Sequence, residues 1–517
     1  MNDAASAERA AAAPETTARA GRGFLSITGA KVYFLIAGYA VQVYLPRLLG
    51  SLEAYGLFAS ALAFVSIFNN VLVTATIQVV SKKVSEDPAR AGGVLRQALE
   101  LQLLIGCGIA GVLLGGASLI GAGFLLDPKL VPLFRVAALV VLAYALYAAP
   151  IGYLNGRQEF LGQARFDVAY QTLRTGLMLG AAALGFGAFG VMCGFALAAL
   201  LVLIAALVFV GLGQGGQRTA WRGWFAFMAP LFLYQTCNNL ILQIDVALLK
   251  RSVASIAQDA GAAASVAAET ASRYVGLYRA AQTIAFVPYQ LLTSVAFVIF
   301  PMVAHAVQLG DEESARRYIR AALRFSLLVL LAVSAPVAGA AEGAMRVVFP
   351  DDYAAGGSAL AVLALAMACF ALFVIAATIM SGAGRPGLAA AVGATAVVVL
   401  VAGNVGFVRI AGLGEQTLVA AASGTAAGTG LALLAMGVAV YRRFRAFIAP
   451  LSVMRALVAA AVAYAVAHAI PPSSKLVALI ALALGTACYA LTLVVLRELT
   501  QVDLQAVQEI LRRRKTA

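Results

Sequence analysis

Charged residues are scarce in this sequence, and their scarcity limits the possible folds before any motif is considered. Of 517 residues, 12% are charged and 62% are hydrophobic, whereas a soluble domain has about 25% charged and 45–50% apolar residues. So few charges cannot cover the surface of a water-soluble protein of this length. The composition therefore excludes an ordinary soluble protein and indicates a chain whose surface faces lipid.

The residues that carry most metal and acid–base chemistry are also few. The chain has two histidines and five cysteines, and every cysteine falls within an apolar segment at a spacing that suits neither a metal site nor a redox pair. The sequence shows no Asp-x-Asp motif, no paired histidines and no pair of carboxylates within an apolar segment. These absences argue against a membrane enzyme, and we expect a non-enzymatic protein without a cofactor or metal.

What the sequence has in abundance is long apolar segments. About fourteen segments of roughly twenty residues occur, and each is long enough to cross the ~30 Å hydrocarbon core of a membrane. Gly, Ala and Ser are frequent inside them, which allows helices to pack closely in lipid. The sequence predicts an all-α polytopic membrane protein with about 14 transmembrane helices. The predicted segments are 24–46, 54–80, 94–120, 130–154, 166–186, 188–212, 223–249, 273–304, 316–341, 356–382, 387–411, 414–440, 449–470 and 474–496.

The formal net charge of +14 is explained by topology rather than by nucleic acid. If the N-terminus is cytoplasmic and the segments alternate, most of the lysines and arginines fall on the cytoplasmic side, as the positive-inside rule requires. Both termini are then cytoplasmic. We expect residues 1–21 to form a disordered cytoplasmic tail. Residues 497–517 fit either an amphipathic basic helix on an anionic membrane surface or a solvated tail.

Three landmarks recur in the same order in the two halves of the chain. A Tyr-Gly or Val-Gly start at residues 55–58 and 275–278 is followed by an apolar stretch, an acidic loop and a Gly-Arg corner. The corners lie at Gly156-Arg157 and Gly384-Arg385. Two homologous halves in parallel can enclose a substrate and rock against each other. The predicted parts are an N-lobe at 22–212, a cytoplasmic linker at 213–222, a C-lobe at 223–441 and two further helices at 442–496.

The first apolar segment carries the strongest candidate for a binding residue. Lys31 and Gln42 lie on one helical face, and a lysine inside a membrane segment usually faces a partner or a water-filled cavity. Lys31 could instead extend to the membrane interface, because it lies about two turns into the segment. Arg47 follows Pro46 at the other end of the segment, where it could also serve only as an anchor.

Polar side chains also line single faces of the second, seventh and eighth segments. Cationic groups around a polar cavity suit an anionic ligand such as a diphosphate, which arginine binds bidentately. For Asp245 and Arg273 we predict a gate or ion pair, and an Asp245–Arg279 pair is a further possibility. Hydrogen bonds between helices are the alternative for the amides. The predicted cavity residues are Lys31, Gln42, Arg47, Asn70, Gln78, Asn238, Arg279 and Gln282.

The sequence resembles bacterial polysaccharide flippases of the multidrug/oligosaccharidyl-lipid/polysaccharide exporter superfamily. The similarity lies in residues 23–31 (GFLSITGAK), in 45–50 (LPRLLG) followed by 55–58 (YGLF), and in the corners at 155–157 and 382–386. Another family segment resembles residues 347–353, although the glycine common near Pro350 is missing. The resemblance extends over nearly the whole chain, but each motif is short.

The resemblance implies two six-helix lobes in a V plus two C-terminal helices, with the first, second, seventh and eighth helices lining a cationic cavity. It implies transport of an undecaprenyl-diphosphate-linked oligosaccharide, such as an O-antigen or exopolysaccharide unit, across the bacterial inner membrane by alternating access. Expected partners are this lipid, membrane lipid and a polysaccharide polymerase or glycosyltransferase. A multidrug antiporter of the same fold and a peptidoglycan lipid-precursor flippase remain alternatives.

Overall fold

The computed structural model describes residues 29–213 and 221–499, and these residues fold into α-helices joined by short turns. Long apolar segments become helices because a helix satisfies every backbone hydrogen bond internally, which lipid cannot do. The helices are α1 (Gly29–Leu49), α2 (Leu52–Glu86), α3 (Ala91–Ser118), α4 (Leu130–Gly156), α5 (Phe160–Ala183), α6 (Gly187–Val210), α7 (Trp221–Asp259), α8 (Ala264–Gln308), α9 (Glu312–Gly339), α10 (Ala341–Val348), α11 (Gly357–Gly382), α12 (Pro386–Ala411), α13 (Gln416–Phe444), α14 (Pro450–His468) and α15 (Lys475–Val495).

The predicted all-helical class is confirmed, and each predicted segment coincides with one long helix. Within the described part of the chain, eleven helices are long and apolar enough to cross a membrane. Helices α5, α7 and α8 are not among those eleven, so the number fourteen stays a prediction. Between the predicted segments 223–249 and 273–304, the sequence predicts a loop at 250–272 that could be partly helical. This stretch is mostly helical, because α7 continues to Asp259 and α8 begins at Ala264.

Three predicted regions fall wholly or largely outside the described residues. These are the disordered N-terminal tail at 1–21, the linker at 213–222, of which 214–220 are not described, and the basic tail at 497–517, of which 500–517 are not described. The description of α1 likewise begins at Gly29.

The chain divides into two compact units, the first ending at Asn239 and the second beginning at Leu240 within α7. In the first unit, α4 packs against α2, α3 and α6, and α5 packs against α6. In the second unit, α11 packs against α8, α9 and α13, and α12 packs against α13. The same pairing pattern occurs twice in chain order, which supports the inferred duplication. The predicted domain bounds themselves stay a prediction.

The two chain reversals after α4 and α11 match each other closely. The first ends at Gly156, and Gln158 adopts a positive φ of 60°. The second ends at Gly382, and Gly384 has a φ of 79°. Gly156 and Gly382 both lie against the helix that opens their unit's repeat, α2 and α8 respectively. Gly156 therefore corresponds to Gly382, whereas the sequence pattern had matched Gly156 to Gly384.

The last two helices attach to the second unit through α9 and α10. Helix α14 packs on α9 and on α15, and the Tyr489 hydroxyl donates to the Leu328 carbonyl at 3.0 Å. Glu498, just after α15, is buried and accepts hydrogen bonds from Arg324 on α9 and Arg455 on α14. These contacts fix the C-terminal end of α15 to the unit.

Helix α8 is the longest helix, with 45 residues, and it contains two internal prolines, Pro288 and Pro301. Each proline lacks the N–H that would bond the carbonyl one turn earlier, and each therefore marks a point of weakened helical hydrogen bonding.

Candidate functional site

A buried polar network lies in the second unit, where α7, α8 and α13 meet. Helix periodicity places Tyr278 and Gln282 one turn apart on the same face of α8. We call this group the Asp245 network, and its members are Gln243, Asp245, Tyr278, Arg279, Gln282 and Thr425. The side chains of all six residues are buried.

The Asp245 carboxylate is the main hydrogen-bond acceptor of the network. The Tyr278 hydroxyl donates to Oδ2 at 2.8 Å and the Thr425 hydroxyl donates to the same atom at 3.0 Å. The Gln282 amide lies 3.0 Å from Oδ1 and 2.9 Å from Oδ2, and the Val246 backbone N–H donates to Oδ1 at 2.9 Å. Donors from three helices therefore compensate the cost of burying this carboxylate.

Gln282 connects the carboxylate to Arg279. Its Oε1 atom accepts from Arg279 Nη1 at 3.1 Å while its Nε2 atom donates to Asp245. Arg279 Nη1 also donates to Gln243 Oε1 at 3.2 Å. Asp245 and Arg279 are thus linked through a glutamine, and the opposite charges share one hydrogen-bonded chain rather than one direct pair.

In the first unit, Lys31 on α1 forms an ion pair with Asp167 on α5. Lys31 Nζ lies 2.8 Å from Asp167 Oδ2, and the side chains are 56% and 11% exposed. Nearby, the Tyr33 and Thr172 hydroxyls are hydrogen-bonded at 2.8 Å. Lys31 is therefore an accessible cation beside a mostly buried carboxylate. Neither alternative that the sequence offered for Lys31, a cavity or the membrane interface, included Asp167 as its partner.

The other predicted residues are distributed over both units. Asn70 is exposed and donates to Asn239 at 2.9 Å, next to the buried Asn238. Gln78 is exposed and Gln42 is half-buried. These positions on α1, α2 and α7 stay predictions as substrate contacts.

The two remaining arginines differ from Arg279 in their surroundings. Arg47 is exposed, donates to the Val43 carbonyl at 3.2 Å and lies over the Tyr44 ring. Arg273 is exposed, whereas Asp245 is buried, and the structure does not bring Arg273 to Asp245. The carboxylate's partners come instead from Tyr278, Gln282 and Thr425.

Sequence reasoning missed three residues that the structure places in polar clusters. Asp167 begins a predicted segment and Thr425 lies in an apolar one, so neither is distinctive in the sequence. Lys250 was read as a loop residue, but it is fully buried and donates to the Ala268 carbonyl at 2.9 Å and to the Ser272 hydroxyl. The sequence did offer one sign that Lys250 is buried: only apolar residues separate it from Asp245, so it continues an apolar helix.

The arrangement can hold and exchange charge, and it can bind polar groups. Arg279 and Lys31 supply cationic donors, and Asp245 and Asp167 supply carboxylates whose hydrogen bonds depend on their ionised state. Such intramembrane ionisable residues are typical of substrate and ion pathways. Each unit therefore holds a hydrogen-bonded pair or network of opposite charges on its helices.

Comparison with protein families decides the classification. The profile described as "Polysaccharide biosynthesis protein" matches residues 44–355, which is more than half of the chain. The chain belongs to this family. The resemblance to polysaccharide flippases is therefore confirmed, and the chain is a multi-pass membrane protein. No curated protein matches the sequence.

Solved transporter structures share the fold at low sequence identity. A lipid II flippase, MurJ, in an inward closed conformation is 13% identical with a TM-score of 0.70, and the match covers 91% of this chain and 99% of MurJ. An inward-facing multidrug-resistance transporter of the MATE family is 17% identical with a TM-score of 0.61, covering 80% of this chain and 94% of that one.

A third transporter, from Pyrococcus furiosus, has a binding pocket of reversed polarity. It is 16% identical with a TM-score of 0.56, covering 83% of this chain and 95% of that one. These likenesses establish that the chain shares the fold of these three proteins. Family and neighbours are membrane transporters or flippases.

Proposed function

We propose that the protein is a flippase that moves an undecaprenyl-diphosphate-linked oligosaccharide, an O-antigen or exopolysaccharide unit, from the inner to the outer leaflet by alternating access. The observation that carries this proposal is membership of a polysaccharide biosynthesis family on a transporter fold. A lipid-linked saccharide is the form in which a polymer precursor would need a membrane transporter.

Lys31 and Arg279 are the cations that we assign to the diphosphate. Lys31 is accessible and is held beside Asp167. Arg279 is buried, and two glutamine oxygens orient its guanidinium. Guanidinium and ammonium groups bind phosphate oxygens through charge-assisted hydrogen bonds. The polar residues Gln42, Asn70, Gln78 and Asn238 would contact the saccharide, and Arg47 would bind outer phosphate oxygens or lipid.

We place the protein in the bacterial inner membrane with both termini in the cytoplasm, because that orientation puts most Lys and Arg residues on the cytoplasmic side. A glycosyltransferase, which would supply the lipid-linked unit, or a polysaccharide polymerase, which would consume it, would work beside the protein.

One specific observation favours a second candidate, an antiporter of cationic drugs. Each unit buries a carboxylate within a long helix, Asp167 on α5 in the first and Asp245 on α7 in the second, and acidic residues suit cationic substrates. Dye efflux that depends on either carboxylate would favour this candidate. The MurJ likeness motivates a test of lipid II as the transported lipid as well.

Deleting the gene and identifying the undecaprenyl-linked intermediate that accumulates tests the main proposal. We expect an oligosaccharide-diphosphate lipid retained in the inner leaflet, and restored polymer when the wild-type gene is returned. Lys31→Ala and Arg279→Lys should each restore less polymer than wild type at equal protein level. Accumulation of lipid II, or of no lipid-linked saccharide, would contradict the assignment.

A further inference from the structure

An apolar groove with arginines at one end lies on the second unit, away from the Asp245 network. It has a volume of about 990 Å³ and is walled by α9, α11 and α13, by the segment after α13 and by the start of α14. Its apolar lining includes Leu327, Leu372, Leu434 and Val438. Arg320, Arg442 and Arg445 stand at its rim, and we call it the arginine-rimmed groove. The volume is at the upper end of the range of about 300–1,000 Å³ typical of ligand sites.

The groove exists because of the way the chain leaves α13. Arg445 ends this helix in the left-handed conformation, with a φ of 52°, which L-residues other than Gly, Asn and Asp rarely adopt. The reversal brings the Phe447 ring onto Gly437, where an added Cβ would lie 3.0 Å from the ring. The strained turn therefore directs the Arg445 side chain to the rim and leaves a recess beside Phe447.

The rim arginines carry charge that the described part of the chain does not neutralise. Neighbouring arginines are paired: Arg316 lies 2.8 Å from Glu312, and Arg324 and Arg455 both contact Glu498. Arg320, Arg442 and Arg445 are exposed, and within residues 29–213 and 221–499 they have no carboxylate partner. Arg442 also borders a neighbouring hollow of about 700 Å³ with Arg385 and Arg443. This end of the groove is thus strongly cationic.

The rest of the groove faces acyl chains rather than water. Helices α9, α11 and α13 are long and apolar enough to span a membrane. Leu434 is 69% exposed and Tyr441 51% exposed on the outer side of α13, as expected of lipid-facing residues. The start of α14 adds the positive end of a helix dipole next to the arginines. An apolar slot with a cationic end matches a lipid chain with an anionic headgroup.

We propose that the arginine-rimmed groove binds an anionic glycerophospholipid, with its phosphate on Arg320, Arg442 and Arg445 and an acyl chain against Leu434 and Val438. Charge complementarity favours this occupant over the chain's own C-terminal segment, which carries Arg512-Arg513-Arg514-Lys515 and would be repelled. The site is separate from the transport residues and does not rest on the proposed substrate.

Tryptophan quenching by brominated lipid tests the proposal in the full-length protein. A reporter at the groove, Tyr441→Trp, and one on the lipid-facing surface of α12, Val398→Trp, are compared in bilayers that contain brominated phosphatidylglycerol or brominated phosphatidylcholine. The signal of the parent protein, from its two native tryptophans, is subtracted. We expect phosphatidylglycerol to be preferred on the order of tenfold at position 441, and equal quenching by both lipids at position 398.

Variants that remove arginines distinguish a specific lipid site from general attraction of anionic lipid to a basic surface. Arg320→Gln with Arg442→Gln should abolish the preference at position 441. The matched pair Arg317→Gln with Arg409→Gln removes two exposed arginines outside the groove and should preserve it. Val453→Trp provides a second groove reporter if Tyr441→Trp does not fold. Equal quenching at both surfaces, or equal effects of the two arginine pairs, would overturn the proposal.

Discussion

At the scale of single residues, the Asp245 network shows how one buried carboxylate organises three helices. Four groups donate to Asp245, from its own helix α7, from α8 and from α13. Removing the acceptor leaves several donors buried without a partner, which costs more than the hydrogen bonds themselves contributed. We therefore regard Asp245 as a structural centre of the second unit as well as a charged group.

Asp245→Asn should lower the stability of the purified protein by about 1–3 kcal/mol, because the amide presents a donor to the donors of Tyr278, Gln282 and Thr425. Apparent melting temperature in detergent at a fixed scan rate measures this. Glu53→Gln is the control. It breaks the 2.6 Å ion pair with the exposed Lys129, and such a pair contributes about 1 kcal/mol or less. An unchanged melting temperature for Asp245→Asn would contradict the central role.

The residue scale is also where sequence reasoning reached its limit. Lys31 and Arg279 were found because a cation in an apolar segment is conspicuous. The partner of Lys31 was not found: Asp167 lies 136 residues away, and helical spacing does not link residues on different helices. The same reason hid the contact between Gln282 on α8 and Asp245 on α7, although a pairing of Asp245 with Arg279 was among the predictions. Spacing predicts faces, whereas pairing between faces depends on packing.

At the scale of elements, close packing of α4 on α2 depends on two glycines. A Cβ on Gly156 would lie 2.6 Å from the Val84 Cβ and 2.8 Å from the Ser81 carbonyl oxygen, and one on Gly152 would lie 2.8 Å from the Val80 Cβ. Small residues at such crossings allow helix backbones to approach in lipid, where apolar burial alone gives little association.

Gly156→Ala should force α4 away from α2 and destabilise the first unit by about 1–3 kcal/mol, the usual cost of overpacking. Yield and apparent melting temperature of the purified variant measure the effect. Gly176→Ala is the matched control, because an added Cβ there meets no atom within 4 Å. Equal behaviour of both variants would show that the α2–α4 contact tolerates the methyl group.

The start of α9 is stabilised by a titratable cap. Two hydrogen bonds lower the pKa of Asp311 below its ordinary value. The bond from the Ser314 side chain has the larger effect, and the bond from the Ser314 backbone N–H, at 2.9 Å, has the smaller. A carboxylate with a lowered pKa stabilises the folded cap above its unfolded pKa, and this contribution is lost as pH falls through the lowered value.

Asp311→Ala should therefore weaken hydrogen-exchange protection of the first turn of α9 at neutral pH. The difference from wild type should disappear when the pH is well below the usual carboxyl range of about 4. Comparing the two proteins at each pH removes the intrinsic pH dependence of exchange. A difference that persists in acid would mean that the cap acts through something other than the ionised carboxylate.

At the scale of the whole molecule, the span of most long helices was predictable because the length of an apolar segment determines it. Predicted and observed ends differ by a few residues in most helices, such as 387–411 against Pro386–Ala411 for α12. The extension of α7 to Asp259 and the start of α8 at Ala264 could not be assigned from the sequence, because Ala, Ser and Glu suit a loop and a helix equally. The repeat of the two halves was visible in the sequence, but which residues correspond between them could be decided only from the geometry of the turns.

Cysteine labelling in intact cells tests the topology on which the proposed orientation depends. With the five native cysteines replaced by alanine, Ser85→Cys in the last turn of α2 and Ala260→Cys after α7 should be labelled from opposite sides. Ser85 and Ala260 are both exposed at the ends of their helices. Glu86→Cys, which is also exposed and lies beside Ser85, is the control and should be labelled from the same side as position 85. Labelling of positions 85 and 260 from the same side would contradict the alternation.

The length of α8 has a mechanical consequence. At 1.5 Å per residue, its 45 residues extend about 68 Å, more than twice the thickness of the hydrocarbon core. Pro288 and Pro301 divide it into a stiff lever that carries Arg279 and two shorter pieces nearer the α9 end. We expect bending to concentrate at those two joints, so that the lever swings as one piece and carries Arg279 with it.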